Sequence, residues 1–107
     1  EKVCQADVAA SFQNAVVEVL VSHAVEAARA YGVDKVVLAG GVAANSALRE
    51  KLKSACALQG YRVYYPSPVF CTDNAAMIGV AAYYEYKKGA RAGWNLNAVP
   101  NLKLGER

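Results

Sequence analysis

Two short segments of this sequence carry residue types suited to ligand binding. The apolar, β-branched run Val36–Ala39 leads into the pair Gly40-Gly41 and then reaches Asn45. This order predicts a buried strand, a turn and a helix start that offers backbone amides and one amide side chain. Because the N-terminal end of a helix favours negative charge, the turn is a candidate nucleotide contact. The plain alternatives are an N-cap role for Asn45 and a glycine turn that needs positive φ.

A second turn-to-helix junction follows at Cys71-Thr72-Asp73-Asn74. A carboxylate at such a place can bind a cation that polarises phosphate or carbonyl oxygens, with Thr72 and Asn74 as supporting groups. Capping of the following helix is the plain alternative for Asp73. With an amide at one junction and a carboxylate at the other, the sequence predicts half of a nucleotide-and-metal cleft.

The helices and strands that must position these residues follow from the apolar periodicity. The order is helix, strand, helix, strand, helix, which predicts an α/β fold with a short parallel sheet and a right-handed crossover. The strand from residue 35 to 39 has the pattern of a strand buried on both faces. The predicted helices cover about residues 5–31, 44–59 and 73–88, and the second predicted strand covers residues 62–65. We expect one domain at residues 1–89, followed by an irregular tail at residues 90–107.

The helices differ in where their apolar residues lie. The second helix has the stripe Leu48, Leu52 and Cys56, with charged residues from Arg49 to Lys53 facing water. The third is apolar almost all round, so other protein parts or a second copy must cover it, and we expect self-association. The stripe of the first helix consists of Val8, Phe12, Val16, Val19, Leu20 and Ala27.

Composition excludes several classes of protein. The chain is 55% hydrophobic and 20% charged, which is not the composition of a disordered segment, and its formal charge of +3 tolerates a polyanion without requiring one. We find no signal peptide and no uncharged apolar run of membrane-spanning length, so we expect no membrane association. The chain starts at Glu1 and its single Met is Met77, so we expect a fragment of a longer protein.

The possible metal-binding and reactive residues are few. Cys4, Cys56 and Cys71 show no CxxC spacing, and His23 is the single histidine, so a structural zinc site built from these residues is not expected. The cysteines are typical of core thiols in a reducing cytoplasm. Near the end of the third helix, a cluster of tyrosines and lysines fits either a packed helix end or an RNA contact.

Four segments together resemble a known family. They are Ala9-Ala10-Ser11-Phe12-Gln13, Ala39-Gly40-Gly41-Val42-Ala43-Ala44-Asn45, Pro66-Ser67-Pro68 and Cys71-Thr72-Asp73-Asn74-Ala75-Ala76-Met77-Ile78. In this order they resemble the C-terminal part of the universal tRNA N6-threonylcarbamoyladenosine transferase family, long known as O-sialoglycoprotein endopeptidase. The resemblance covers essentially the whole chain, but only about a third of the family's length.

The resemblance implies the actin/Hsp70/sugar-kinase ATPase fold, which is ribonuclease H-like, and a group-transfer reaction. A threonylcarbamoyl group passes from threonylcarbamoyl-AMP to N6 of adenosine 37 in tRNAs that read codons starting with A. The implied partners are tRNA and the accessory subunits of the threonylcarbamoyladenosine-synthesis complex. The alternatives are a metallo-glycoprotease or a sugar-kinase-like ATPase on the same fold, or a non-catalytic interaction module.

The resemblance also implies roles for particular residues. Asn45 matches the family's nucleotide-contacting Asn, with Gly40 and Gly41 in the adjoining loop, which implies an adenine nucleotide, threonylcarbamoyl-AMP or ATP. Asp73 matches the Asp that holds one divalent metal, iron or zinc, together with two His of an HxxxH motif. That motif does not occur in this sequence, so we expect the chain alone to be inactive.

Overall fold

The computed structural model describes residues 3–103 and 105 of the chain. Its regular elements are the helices α1 (Gln5–Ala30), α2 (Ser46–Leu58) and α3 (Ala75–Lys87) and the strands β1 (Lys35–Val37) and β2 (Arg62–Tyr64). The predicted order is confirmed, although each strand is shorter than predicted. Two 3-10 turns, Gly41–Ala44 and Pro68–Phe70, were not predicted, and each lies shortly before a helix.

The chain forms two compact units, Glu1–Asp73 and Asn74–Arg107. The first contains α1, β1, α2 and β2. The second contains α3 and the segment that follows it, in which the described residues form turns and irregular structure. The sequence-based division at residue 89 stays a prediction about domain boundaries.

The sheet consists of β1 and β2, which run parallel with Val36 opposite Val63. Its ladder continues past both ends of β1, since the Leu38 amide donates to the Tyr64 carbonyl and the Arg62 amide to the Asp34 carbonyl, each at 2.8 Å. Helix α2 makes the crossover, because a parallel pair cannot be joined by a hairpin.

The core of the first unit lies on one face of this sheet. It consists of Val17 and Val21 of α1 with Leu48, Leu52 and Cys56 of α2, so the predicted stripe of α2 is confirmed. Val36, Leu38 and Val63 pack against this cluster. Alternate strand residues point to the other face, and there Val37 is 72% exposed. The prediction that β1 is buried on both faces is therefore wrong for the described residues, because α1 and α2 cover only one face.

The prediction for α1 selected the wrong stripe. Its buried residues are Val17, Val21 and Ala28, whereas Val8, Phe12, Val16, Val19 and Leu20 are between 39% and 71% exposed. Apolar residues cover a wide arc of this helix, so periodicity alone leaves the buried strip undetermined. Contact with α2 determines which residues of α1 are buried.

Helix α1 also has the length and composition of a membrane span, and it is the one such helix among the described residues. Core helices of globular proteins share these properties. We interpret α1 as a packed helix, because Val17 and Val21 contact the α2 stripe and Glu18 forms an ion pair with Lys51 at 3.0 Å.

Helix α3 begins after Asn74, whose side-chain oxygen accepts a hydrogen bond from the Met77 amide at 3.0 Å. No described residue of α3 is buried, although the helix is strongly apolar. What covers this helix stays a prediction.

Candidate functional site

The glycine turn after β1 is shaped by one residue that must be glycine. Gly40 has φ 89° and ψ 175°, a backbone conformation that side-chain-bearing residues rarely adopt. Its carbonyl accepts from the Ala43 amide at 3.0 Å, which closes the 3-10 turn Gly41–Ala44. The glycine pair therefore leads into a 3-10 turn, and α2 begins only after Asn45. The predicted turn between strand and helix is therefore confirmed, and α2 begins two residues later than predicted.

Asn45 is the N-cap of α2, which confirms the structural alternative for this residue. Its Oδ1 accepts a hydrogen bond from the Leu48 amide at 2.9 Å, and its Nδ2 donates to Oε1 of Gln13 at 3.1 Å. Because the cap requires the oxygen, the amide nitrogen is oriented outward from α2 as a donor. One hydrogen of that nitrogen remains for an acceptor on a ligand. The predicted nucleotide contact is compatible with capping, and it stays a prediction.

A cavity of about 220 Å³ lies beside Asn45. Its walls are mostly apolar and include the two amide side chains of the Gln13–Asn45 pair. This combination suits a flat heteroaromatic ring, which needs apolar contact on its faces and donors or acceptors at its rim. The lining residues are Phe12, Gln13, Val16, Val17, Leu20, Val42, Asn45 and Leu48.

Arg49 is the residue of this site that sequence reasoning missed. We predicted that it faces water, but it is half-buried and its guanidinium donates to three acceptors. Nε donates to the Ala43 carbonyl, and Nη2 donates to the Pro66 carbonyl at 3.1 Å and to the Cys71 sulfur at 2.9 Å. The guanidinium carbon also lies 4.7 Å from the centre of the Tyr65 ring, a cation–π contact.

These contacts connect the two predicted binding segments. Ala43 lies two residues before Asn45, and Cys71 lies two residues before Asp73. Arg49 stands four residues after Asn45, so both lie on the same side of α2. This spacing is the signal in the sequence that could have identified Arg49 as part of the site. Cys71 is only 4% exposed, and its sulfur also approaches the Ser67 carbonyl at 3.5 Å.

Asp73 is exposed and lies immediately before the residue that caps α3. Because Asn74 makes the cap, the alternative that Asp73 caps this helix is wrong. The carboxylate at this position is a hard oxygen donor of the kind that divalent cations accept. Among the described residues, no group of three His, Cys, Asp or Glu side chains could hold a metal ion together. The metal-ligand role of Asp73 stays a prediction.

A comparison with protein-family models shows to which family this chain belongs. Residues 1–80 match the TsaD family model, described as tRNA N6-adenosine threonylcarbamoyltransferase. The chain belongs to this family. The match includes Gly40, Gly41, Asn45 and Asp73, and it supports a partial α/β domain as the fold.

Individual relatives agree with the family model. The chain is 58% identical to the tRNA N6-adenosine threonylcarbamoyltransferase of Clostridium botulinum (strain 657 / Type Ba4) over all 107 residues, which is 32% of that protein. It is 55% identical to the protein of the same name from Clostridium novyi, again over the whole chain and 31% of the relative. The chain thus spans about a third of the length of the curated relatives it matches.

Proposed function

We propose that this chain is one wall of the catalytic cleft of a tRNA-modifying acyltransferase. The reaction is transfer of a threonylcarbamoyl group from threonylcarbamoyl-AMP to N6 of an adenosine in tRNA, carried out in the cytoplasm by a protein of family length. The observation that carries the proposal is the Arg49 tether, which connects the Gly40–Asn45 turn to the segment that ends at Asp73.

In this proposal the glycine turn contacts the adenine nucleotide. Gly41 has no atom within 4 Å of the place where a Cβ would stand, so a ribose or phosphate can approach the backbone closely. The Asn45 amide nitrogen donates its second hydrogen to an acceptor of the nucleotide. The neighbouring apolar cavity then receives part of the ligand.

Asp73 supplies one ligand to a divalent metal, iron or zinc, whose other protein ligands lie outside this chain. When bound, the metal supplies Lewis-acid stabilisation to phosphate or carbonyl oxygens of the donor. The contribution of this chain is positional, because Arg49 holds the Cys71 end of the Asp73 segment through a charge-assisted hydrogen bond. The Asn45 donor and the Asp73 carboxylate are thereby kept in one arrangement.

The partners in this proposal are tRNA, accessory subunits of the threonylcarbamoyladenosine-synthesis complex and, for the chain by itself, a second copy. The exposed apolar side of α1 supports self-association, since Phe12 is 71% exposed and Val8 is 54% exposed. Size-exclusion chromatography with light scattering tests this point. A monomer across the micromolar range contradicts it.

The test of function compares two variants in the family-length protein that contains this segment. Asp73→Ala should lose bound metal and transfer activity, whereas Glu26→Ala, which removes an exposed carboxylate of α1, should keep both. Metal content is measured by mass spectrometry and transfer by threonylcarbamoyladenosine formation in an unmodified tRNA transcript. Retention of metal and transfer in Asp73→Ala contradicts the assigned role. Parallel assays of peptide cleavage and ATP-dependent phosphorylation separate the alternative activities.

A further inference from the structure

The formal charge of the chain is distributed very unevenly between its two compact units. Residues 1–73 contain seven Lys or Arg and seven Asp or Glu, so their formal charges cancel. Residues 74–107 contain five Lys or Arg and two Asp or Glu, so the whole formal charge of +3 belongs to them. Such an asymmetry is typical of a part that meets a polyanion.

In the second unit, cations and exposed aromatic rings lie close together. The Arg91 guanidinium carbon is 3.8 Å from the centre of the Tyr86 ring, and Nζ of Lys87 is 5.5 Å from the centre of the Tyr83 ring. Tyr83 and Tyr86 are more than half exposed. Trp94 follows Arg91 by three positions in the chain and is fully exposed. We call these five residues the aromatic–cation surface.

The Arg91 side chain is held at the end of α3. Its Nη1 donates to the carbonyls of Tyr86 at 2.9 Å and Ala90 at 2.8 Å, which fixes the guanidinium beside the Tyr86 ring. Lys88, by contrast, forms an ion pair with Glu85 at 3.2 Å and is not counted in the surface. The surface therefore has two cations, Lys87 and Arg91, each beside an aromatic ring.

We propose that the aromatic–cation surface binds single-stranded RNA, with bases stacked on the exposed rings and phosphates beside Lys87 and Arg91. This inference rests on the proposed function, since it places part of the tRNA substrate on this unit. Aromatic faces with neighbouring cations are the combination that proteins use for unpaired nucleotides, because every base has a face to stack and every nucleotide a phosphate. A purely electrostatic polyanion site would not need exposed rings.

The chain contains a single Trp, so the fluorescence of Trp94 reports on the segment that follows Arg91. An unmodified transcript of a tRNA that reads codons starting with A should quench this fluorescence, excited at 295 nm, and the quenching should weaken as salt rises. A blunt RNA duplex of the same length should quench less, because its bases are already stacked. Anionic lipid vesicles serve as the second comparison. Quenching by vesicles but not by RNA, or no quenching by tRNA, overturns the proposal.

Variants test the individual contacts, with affinity measured by fluorescence anisotropy of labelled tRNA. Trp94→Ala should weaken binding by about tenfold, and Trp94→Phe should retain most of it. The double variant Lys87→Ala, Arg91→Ala should reduce the slope of log affinity against log salt by about 1.4. Lys35→Ala, which removes one exposed cation from the first unit, should have little effect. Equal weakening by Lys35→Ala and the surface variants overturns the proposal.

This inference and the proposed function fail in different ways. Binding and quenching need no threonylcarbamoyl donor, whereas the transfer assay does. If a family-length protein carries out the transfer and the surface variants do not change its tRNA affinity, the RNA-binding role of the surface is refuted, whereas the proposed function is supported. If those variants lose tRNA affinity but the parent protein carries out no transfer, the RNA-binding role of the surface is supported and the proposed function is refuted. Circular dichroism of each variant confirms that α3 is intact.

Discussion

The Arg49 guanidinium donates to the Cys71 sulfur at 2.9 Å, although the two residues are 22 positions apart in the chain. The same side chain donates to the Ala43 carbonyl. A single half-buried arginine therefore connects the turn before α2 with the segment after β2. Its planar guanidinium makes this possible, since several donors point in fixed directions from one group.

The first prediction concerns this connection. Arg49→Ala should lower the free energy of unfolding by about 2 kcal/mol, because charged hydrogen bonds are lost and two carbonyls lose their donor. Arg49→Lys keeps the charge but not the fork, so it should recover only part of the loss. Urea unfolding measures both, and Lys53→Ala, an exposed α2 cation, is the matched control.

Thiol labelling checks the same prediction locally. Cys71 is 4% exposed and Cys56 is fully buried, whereas Cys4 is exposed. All labelled proteins therefore carry Cys4→Ser, which removes the exposed thiol. Arg49→Ala should accelerate labelling of Cys71 but not of Cys56. Unchanged Cys71 labelling would show that other contacts hold the segment.

The second prediction separates the two glycines of the turn. Gly40 has φ 89°, so Gly40→Ala should cost about 1–3 kcal/mol in unfolding free energy. Gly41 has no positive φ and open space at the Cβ position, so Gly41→Ala should leave stability nearly unchanged. In the family-length protein, however, Gly41→Ala should weaken adenine nucleotide binding, measured by calorimetry. Equal stability losses in both variants contradict the described turn.

The third prediction distinguishes capping by Asn45 from ligand contact. Asn45→Ala should cost about 1 kcal/mol, because α2 loses its N-cap. Asn45→Asp keeps a good cap, so stability should change little. The Asp side chain lacks the amide donor and adds a negative charge, so nucleotide affinity in the family-length protein should fall. If Asn45→Asp binds nucleotide as well as the parent does, Asn45 is only a cap.

The fourth prediction concerns pH. Burial raises the pKa of the Cys56 thiol above its ordinary value of 9.0. A thiol with a raised pKa in the folded state stays protonated there while the unfolded chain already loses the proton. Its contribution is thus fully present below the unfolded pKa and is lost as pH rises toward the folded pKa, by up to about 1.4 kcal/mol per pH unit.

Urea midpoints between pH 7.5 and 10 measure this loss. Cys56→Val removes the titrating group and keeps an apolar side chain, so its stability should fall less steeply over this range. The Cys4→Ser variant, which changes an exposed thiol, should behave like the parent. The same slope for Cys56→Val and the parent contradicts the prediction.

Sequence patterns were most informative where one local rule decides the structure. The stripe Leu48, Leu52 and Cys56 predicted the buried side of α2, because none of the four charged residues of that helix interrupts the stripe. For α1, apolar residues surround too much of the helix for periodicity to select Val17 and Val21 over Val16 and Leu20. The cap at Asn45 was a local signal in the sequence, but the sequence offered Asp73 as the cap of α3, and only backbone geometry showed that Asn74 makes it.

The sequence by itself determined the order of elements, the parallel pairing and the family, because periodicity, glycine positions and ordered motifs are properties of neighbouring residues. Only the tertiary structure decided which face of α1 is buried and that Arg49 turns inward to reach Ala43 and Cys71. The physical reason is that a long cationic side chain has no preferred neighbour along the chain. Its position depends on which distant carbonyls, sulfur and ring the fold brings within its reach.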